Sequence, residues 1–83
     1  MNSVLLNEFL TEEGNPEVRR KLLVSIREPN SRAFLKFTFN RFNIILNYEK
    51  KEVTVEDDLT VGAEGEFKIS FEEFIRALQK HMP

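Results

Sequence analysis

The sequence predicts an α+β fold in which an antiparallel sheet is covered on one face by a C-terminal helix. Runs of alternating apolar and polar residues recur between residues 18 and 69, which is typical of strands with one buried face. Residues 70–82 instead repeat their apolar side chains every three or four positions, as a helix does. We expect one domain over residues 1–83, with an antiparallel sheet of four or five strands, a C-terminal helix packed on one face and a short N-terminal helix.

The short N-terminal helix is predicted at residues 3–13. Ser3 can cap its first turn, and Gly14 stands where a helix end favours glycine. Its apolar residues have helical spacing, and the pair Asn15-Pro16 then interrupts the pattern.

The run over residues 18–26 is interpreted as the first strand, although its composition would also allow a helix. Apolar residues fall at every second position in its second half. Residues 28–31 favour a turn, and the run 32–40 alternates again. A hairpin that pairs Ile26 with Ala33 would bring the apolar side chains of both runs to one face.

The remaining strands follow from the same alternation. It continues through residues 42–48 and 53–56 and returns at residues 67–69. A polar loop with two glycines, residues 57–65, separates the last two strands. We expect these strands to complete a sheet in which every strand has one apolar face.

The C-terminal helix begins at Ser70. Ser70 and Glu73 have the spacing of a capping box, in which each side chain accepts a hydrogen bond from a free backbone N–H of the first turn. An apolar stripe follows at helical spacing, and we expect it to lie across the sheet. This stripe consists of Phe71, Phe74, Ile75 and Leu78.

Residues 68–74 resemble the exit of a calcium-binding EF-hand, with Glu73 at the position of the final bidentate ligand. The rest of the loop does not fit. Gly62 would be the first ligand but has no side-chain oxygen, and Phe67 would replace the glycine that the sharp turn requires. We therefore expect no calcium site.

The sequence offers little chemistry for catalysis. It has no cysteine, its only histidine is His81 near the C-terminal end, and it has neither metal-ligand spacing nor a glycine-rich phosphate loop. The adjacent carboxylates of Asp57 and Asp58 would need burial to act as an acid–base pair, which a polar loop does not favour. We expect a non-enzymatic protein that needs no metal and no cofactor.

Charge is distributed unevenly along the chain, whose net charge is −2. Residues 1–48 hold seven basic and five acidic residues, whereas residues 49–83 hold five basic and nine acidic residues. Such asymmetry favours a charged face that attracts a partner of opposite charge. The acidic residues that we expect to bind a basic protein partner are Glu56, Asp57, Asp58 and Glu64.

Two segments, Val53-Thr-Val-Glu-Asp-Asp-Leu59 and Phe71-Glu-Glu-Phe-Ile-Arg-Ala-Leu78, resemble those of small bacterial immunity proteins. Immunity proteins neutralise a cognate toxin, often a basic nuclease, by occluding its active site with an acidic surface. The resemblance implies an inhibitor that stays in the cytoplasm and has its toxin as partner. Phage-encoded inhibitors of similar size would look the same by these criteria.

The outer face of the predicted sheet supports two alternative functions. A basic face with one aromatic side chain suits single-stranded nucleic acid, because it can bind phosphates and stack a base. The residues in question are Arg27, Arg32, Phe34 and Lys36. Leu23, Phe34 and Ile45 interrupt the polar pattern, so this patch could instead join two copies of the chain in a structural homodimer or seat the N-terminal helix.

Localisation is predicted from what the sequence lacks. No apolar run approaches the roughly 18 residues of a membrane span, and the N-terminus has no signal-peptide pattern. We expect a cytoplasmic protein that does not interact with membranes.

Overall fold

The computed structural model describes residues 4–28, 33–59 and 65–80. In chain order, the elements of these residues are α1 (Val4–Glu12), α2 (Pro16–Arg27), β1 (Phe34–Thr38), β2 (Phe42–Asn47), β3 (Glu52–Asp57), β4 (Glu66–Ser70) and α3 (Phe71–Gln79). The strands form one antiparallel sheet in the order β1-β2-β3-β4, so each strand pairs with the next one in the sequence. This confirms the predicted α+β fold.

Side chains alternate between the two faces of the sheet, and one face is apolar. The register aligns Phe37 with Ile44, Ile44 with Val55, and Val55 with Phe67. A second apolar row runs through Leu35, Leu46, Val53 and Ile69. We call this the inner face, because the helices pack on it, and the opposite face the outer face. The predicted apolar alternation is confirmed for these four strands.

Residues 16–27 form α2 and not the predicted strand. The side chain of Asn15 accepts a hydrogen bond from the backbone N–H of Val18 at 2.9 Å, and Pro16 occupies the first turn, where its missing N–H costs no hydrogen bond. These two residues therefore start a helix where the alternation had indicated a strand.

The apolar side chains of α2 follow helical spacing. Leu22, Leu23 and Ile26 are buried, whereas Val24, which the strand interpretation placed beside Leu22 and Ile26, is 47 % exposed. The predicted pairing of Ile26 with Ala33 was therefore wrong, and β1 is an edge strand of the sheet.

The core lies between the inner face and the three helices. Its fully buried side chains include Phe9 of α1, Leu22 of α2, and Phe74 of α3. The ring of Phe9 packs against Phe42 with 5.8 Å between ring centroids. The predicted N-terminal and C-terminal helices thus both bury their apolar stripes against the sheet.

Gly14 follows α1 and Ser70 precedes α3, as the sequence predicts. The backbone N–H of Gly14 donates to the carbonyl of Phe9 at 3.0 Å, and a Cβ atom at Gly14 would lie 2.8 Å from the Cα of Leu10. The hydroxyl of Ser70 accepts a hydrogen bond from the N–H of Glu73 at 3.1 Å.

None of the described helices has the length and apolar character needed to cross a membrane.

Arg19 is buried among the ends of the helices. Its guanidinium donates to the carbonyl oxygens of Leu10 and Gly14 near the end of α1 and to that of Leu78 near the end of α3. These carbonyls carry the negative end of the helix dipoles, so a cation is favourable there. Arg19 therefore links α1, α2 and α3.

Candidate functional site

Arg41 precedes β2 and joins the sheet to α1. Its Nε donates to Oδ1 of Asp57 at 3.1 Å, and its Nη2 donates to Oδ2 of the same carboxylate at 2.8 Å. The guanidinium also pairs with Glu8 at 2.8 Å and with Glu12 at 2.6 Å, both on α1. The hydrogen bond with Asp57, together with the three negative charges, raises the pKa of Arg41 above its ordinary value. Arg41 thus stays charged even at alkaline pH.

Asp57 lies inside the protein, where no partner can reach its carboxylate. Its side chain is 1 % exposed, because the alternation that buries Val53 and Val55 also directs Asp57 to the inner face. Its Oδ1 accepts a second hydrogen bond, from the N–H of Leu59 at 2.9 Å. Of the four acidic residues predicted to contact a partner, Asp57 therefore holds Arg41 instead of forming part of the surface.

The other three predicted acidic residues are Glu56, Asp58 and Glu64. Glu56 and Asp58 are the chain neighbours of Asp57. Asp58 is exposed, and its carboxylate accepts a hydrogen bond from the amide of Asn43 at 2.7 Å. Glu56 is half-buried on the outer face, directly across from Asn43. Glu64 lies outside the described residues.

Two residues of α1, Glu8 and Glu12, add carboxylates that no pattern in the sequence indicated. Their side chains are 39 % and 46 % exposed while they pair with Arg41. Arg41 also holds Asp58 through the backbone, because the carbonyl of Arg41 accepts the N–H of Asp58 at 2.9 Å. Glu8, Glu12 and Asp58 are thus all attached to Arg41. We call Glu8, Glu12, Glu56 and Asp58 together the acidic end.

A groove adjoins the acidic end beside the turn between α1 and α2. It has a volume of about 480 Å³ and is lined by Glu12, Glu13, Asn15, Val18, Thr38, Phe39 and Asn40. Glu13 fixes this region, since its Oε1 accepts the backbone N–H of Arg41 at 3.1 Å. Its Oε2 is buried without a hydrogen-bond partner among the described residues. The acidic end is therefore bordered by a concave, polar groove.

The structure separates the residues of the second predicted surface. Phe34, Lys36 and Ile45 do lie together on the outer face, where Lys36 pairs with Ile45 and Phe34 is 57 % exposed. Leu23 does not lie there, because it is buried in α2. Arg27 is exposed at the end of α2. Arg32 lies outside the described residues.

The outer face is not basic. Its register rows carry the ammonium groups of Lys36 and Lys68 together with the carboxylates of Glu52, Glu56 and Glu66. Lys68 also pairs with Glu66 at 3.4 Å. Carboxylates therefore outnumber ammonium groups among the described residues of this face.

Among the described residues, no group of three or more histidine, cysteine, aspartate or glutamate side chains is placed to hold a metal ion. Comparisons of the chain with protein-family models, with curated proteins and with solved structures gave no match.

Proposed function

We propose that this chain is a non-enzymatic inhibitor that binds a basic protein through its acidic end. One observation carries the proposal: within the described residues, the carboxylates of Glu8, Glu12 and Asp57 share the single guanidinium of Arg41, so one positive charge faces three negative charges. The exposed carboxylates of the acidic end therefore leave a net negative surface. A complementary field of this kind accelerates association with a basic partner and discriminates against acidic ones.

Preorganisation is a second reason. Arg41 ties Glu8 and Glu12 to the end of β3, and Asn43 holds the carboxylate of Asp58. Side chains that are already ordered lose less conformational entropy when a partner binds. The acidic end is therefore better suited to binding than flexible surface glutamates would be.

The partner that we propose is a basic bacterial toxin domain, in line with the resemblance to immunity proteins. Such an inhibitor acts by covering the active site of its partner and needs no catalytic group of its own. In this proposal the chain works in the cytoplasm of the cell that makes the toxin. The groove beside Glu12 and Glu13 offers space for a basic side chain of the toxin.

The two alternatives have weaker support. Single-stranded nucleic acid would use Phe34 and Lys36, but the carboxylates on the same face repel phosphates. A homodimer through Leu23, Phe34 and Ile45 cannot use Leu23, because that side chain is buried in the core. Binding of a basic protein through the acidic end requires neither a basic outer face nor a larger apolar patch.

Affinity capture with matched variants tests the proposal. The tagged chain is used as bait in an extract of the cells that encode it, beside the variants Glu12→Lys/Asp58→Lys and Glu28→Lys/Glu49→Lys. Both variants change the net charge equally, but Glu28 and Glu49 are exposed residues outside the acidic end. We expect the wild type and the second variant to retain a basic protein that the first variant loses. Equal recovery by all three baits would contradict the proposal.

A further inference from the structure

β1 is the most open strand of the sheet. Its residues are alternately exposed and half-buried, whereas most residues of β2 are buried. It lies at the edge of the sheet, so one side of its backbone has no neighbouring strand among the described residues. An open strand edge recognises one type of ligand, namely another extended chain.

The hydrogen-bond pattern identifies the backbone groups on the free edge. Phe39 donates to the carbonyl of Phe42 at 2.9 Å, and the carbonyl of Ala33 accepts the N–H of Tyr48 at 2.9 Å. In an antiparallel ladder every second residue bonds to the neighbouring strand, so odd-numbered residues of β1 bond to β2. The backbone N–H and C=O groups on the free edge are those of Phe34, Lys36 and Thr38.

Cationic side chains flank this edge on both faces. Lys36 stands on the outer face between Phe34 and Thr38. On the inner face, the ammonium of Lys21 in α2 lies 5.6 Å from the ring centroid of Phe37. Within the described residues, neither lysine forms an ion pair, and β1 itself contains no carboxylate.

The opposite edge of the sheet lacks this combination. On β4, Lys68 is already paired with Glu66, and Ser70 starts α3. β1 is therefore the edge of the sheet at which lysine side chains remain without an ion pair within the described residues.

We propose that β1 binds an acidic, extended segment of a protein partner as a fifth strand of the sheet. A second copy of the chain fits less well, because antiparallel pairing of two β1 strands centred on Lys36 would place the Lys36 side chains of both copies opposite each other, and like charges across strands are destabilising. This surface adjoins the groove beside the acidic end at Thr38, but the cations that the inference uses are Lys21 and Lys36. It has the opposite charge preference, so the inference does not depend on the proposed function.

The geometry defines the sequence of the incoming strand. Its neighbouring residues point to opposite faces, so two consecutive carboxylates would meet Lys36 on the outer face and Lys21 on the inner face. In a strand that runs antiparallel to β1, an apolar residue two positions after the residue that faces Lys36 would cover Phe34. The probe peptide acetyl-Thr-Glu-Glu-Val-Val-Thr-amide has this pattern, and replacing both glutamates with lysine gives the control peptide.

Backbone amide exchange measured by NMR tests the inference. In the free protein, the amides of Phe34, Lys36 and Thr38 should exchange fast, while those of Leu35 and Phe37 should be protected by β2. The acidic peptide should slow exchange at the three edge amides and bind on the order of tenfold more tightly than the lysine peptide. Equal binding of both peptides, or binding without protection of these amides, would overturn the inference.

Two charge variants sharpen the test. Lys36→Glu should reverse the preference between the peptides, whereas Lys68→Glu, a matched change on the other edge strand, should leave it unchanged. Sedimentation of the free protein tests whether a second copy of the chain occupies this edge. A dimer whose edge amides are protected without peptide would assign the edge to a second copy and contradict the inference. If Lys36→Glu does not fold, the comparison of the two peptides on the wild type still decides.

Discussion

Arg41 and Asp57 are joined by two hydrogen bonds of 3.1 and 2.8 Å, and Asp57 is the buried partner. This pair connects the end of β3 to the start of β2, and through Glu8 and Glu12 it also holds α1 in place. A carboxylate in such a position stabilises the fold and orders the surface beside it. The adjacent residue, Asp58, has the same chemistry but points to solvent.

Asp57→Asn should therefore lower the free energy of unfolding by about 2–3 kcal/mol, because a buried charged acceptor of several hydrogen bonds is lost. Asp58→Asn, one residue away, should change it by no more than about 0.5 kcal/mol. Urea denaturation followed by circular dichroism measures both. Equal effects of the two variants would show that burial of Asp57 does not stabilise the fold.

The strands were predictable because the sheet is covered on one face only. From β1 to β4 every inner residue except Asp57 is apolar, and the alternation predicted the correct inner face of each strand. The alternation failed at residues 16–27, because the apolar residues there satisfy both a period of two and helical spacing. The local signal that identifies the helix was the pair Asn15-Pro16, which caps it and starts its first turn.

The candidate site was only partly predictable for a different reason. The burial of Asp57 follows from extending the alternation of Val53 and Val55 by two residues. The contacts of Arg41 with Glu8 and Glu12 depend on where α1 crosses the sheet, which no local pattern in the sequence specifies.

The burial of Arg19 leads to a second prediction. Arg19→Met removes the donor to three helix-end carbonyls and should lower the free energy of unfolding by about 1–3 kcal/mol. Arg20→Met changes the neighbouring residue, which is exposed, and should have an effect of at most about 0.5 kcal/mol. Thermal denaturation of both variants makes the comparison, and a similar loss in each would mean that the carbonyl contacts do not matter.

Gly14 leads to a third prediction. In Gly14→Ala the new methyl group would lie 2.8 Å from backbone atoms of Leu10, which cannot move aside as a flexible side chain would. We expect a loss of about 1–3 kcal/mol in the free energy of unfolding. Thr11→Ala, at an exposed position of α1, serves as the control in the same denaturation experiment. A neutral Gly14→Ala would imply that the end of α1 can shift without cost.

Single-stranded nucleic acid should not bind to the outer face. The carboxylates of Glu52, Glu56 and Glu66 offset the two lysines there, so the face lacks the positive field that phosphates require. A titration of fluorescent oligothymidine at low ionic strength should give no saturable signal. Saturable binding that disappears in Phe34→Ala would instead favour the nucleic-acid alternative.

The last prediction concerns the kinetics of partner binding at the acidic end. Once the basic partner is captured, Glu8→Gln/Glu12→Gln should slow its association by roughly tenfold and weaken the dependence of the rate on salt, because exposed charges mainly steer the encounter. The dissociation rate should change little, since neither carboxylate is fully buried. Stopped-flow measurements over a range of salt concentrations separate the two rates, with Glu28→Gln/Glu49→Gln as the control of equal net charge. If both double variants slow association alike, the partner responds to the net charge of the chain, and the acidic end has no special role in binding.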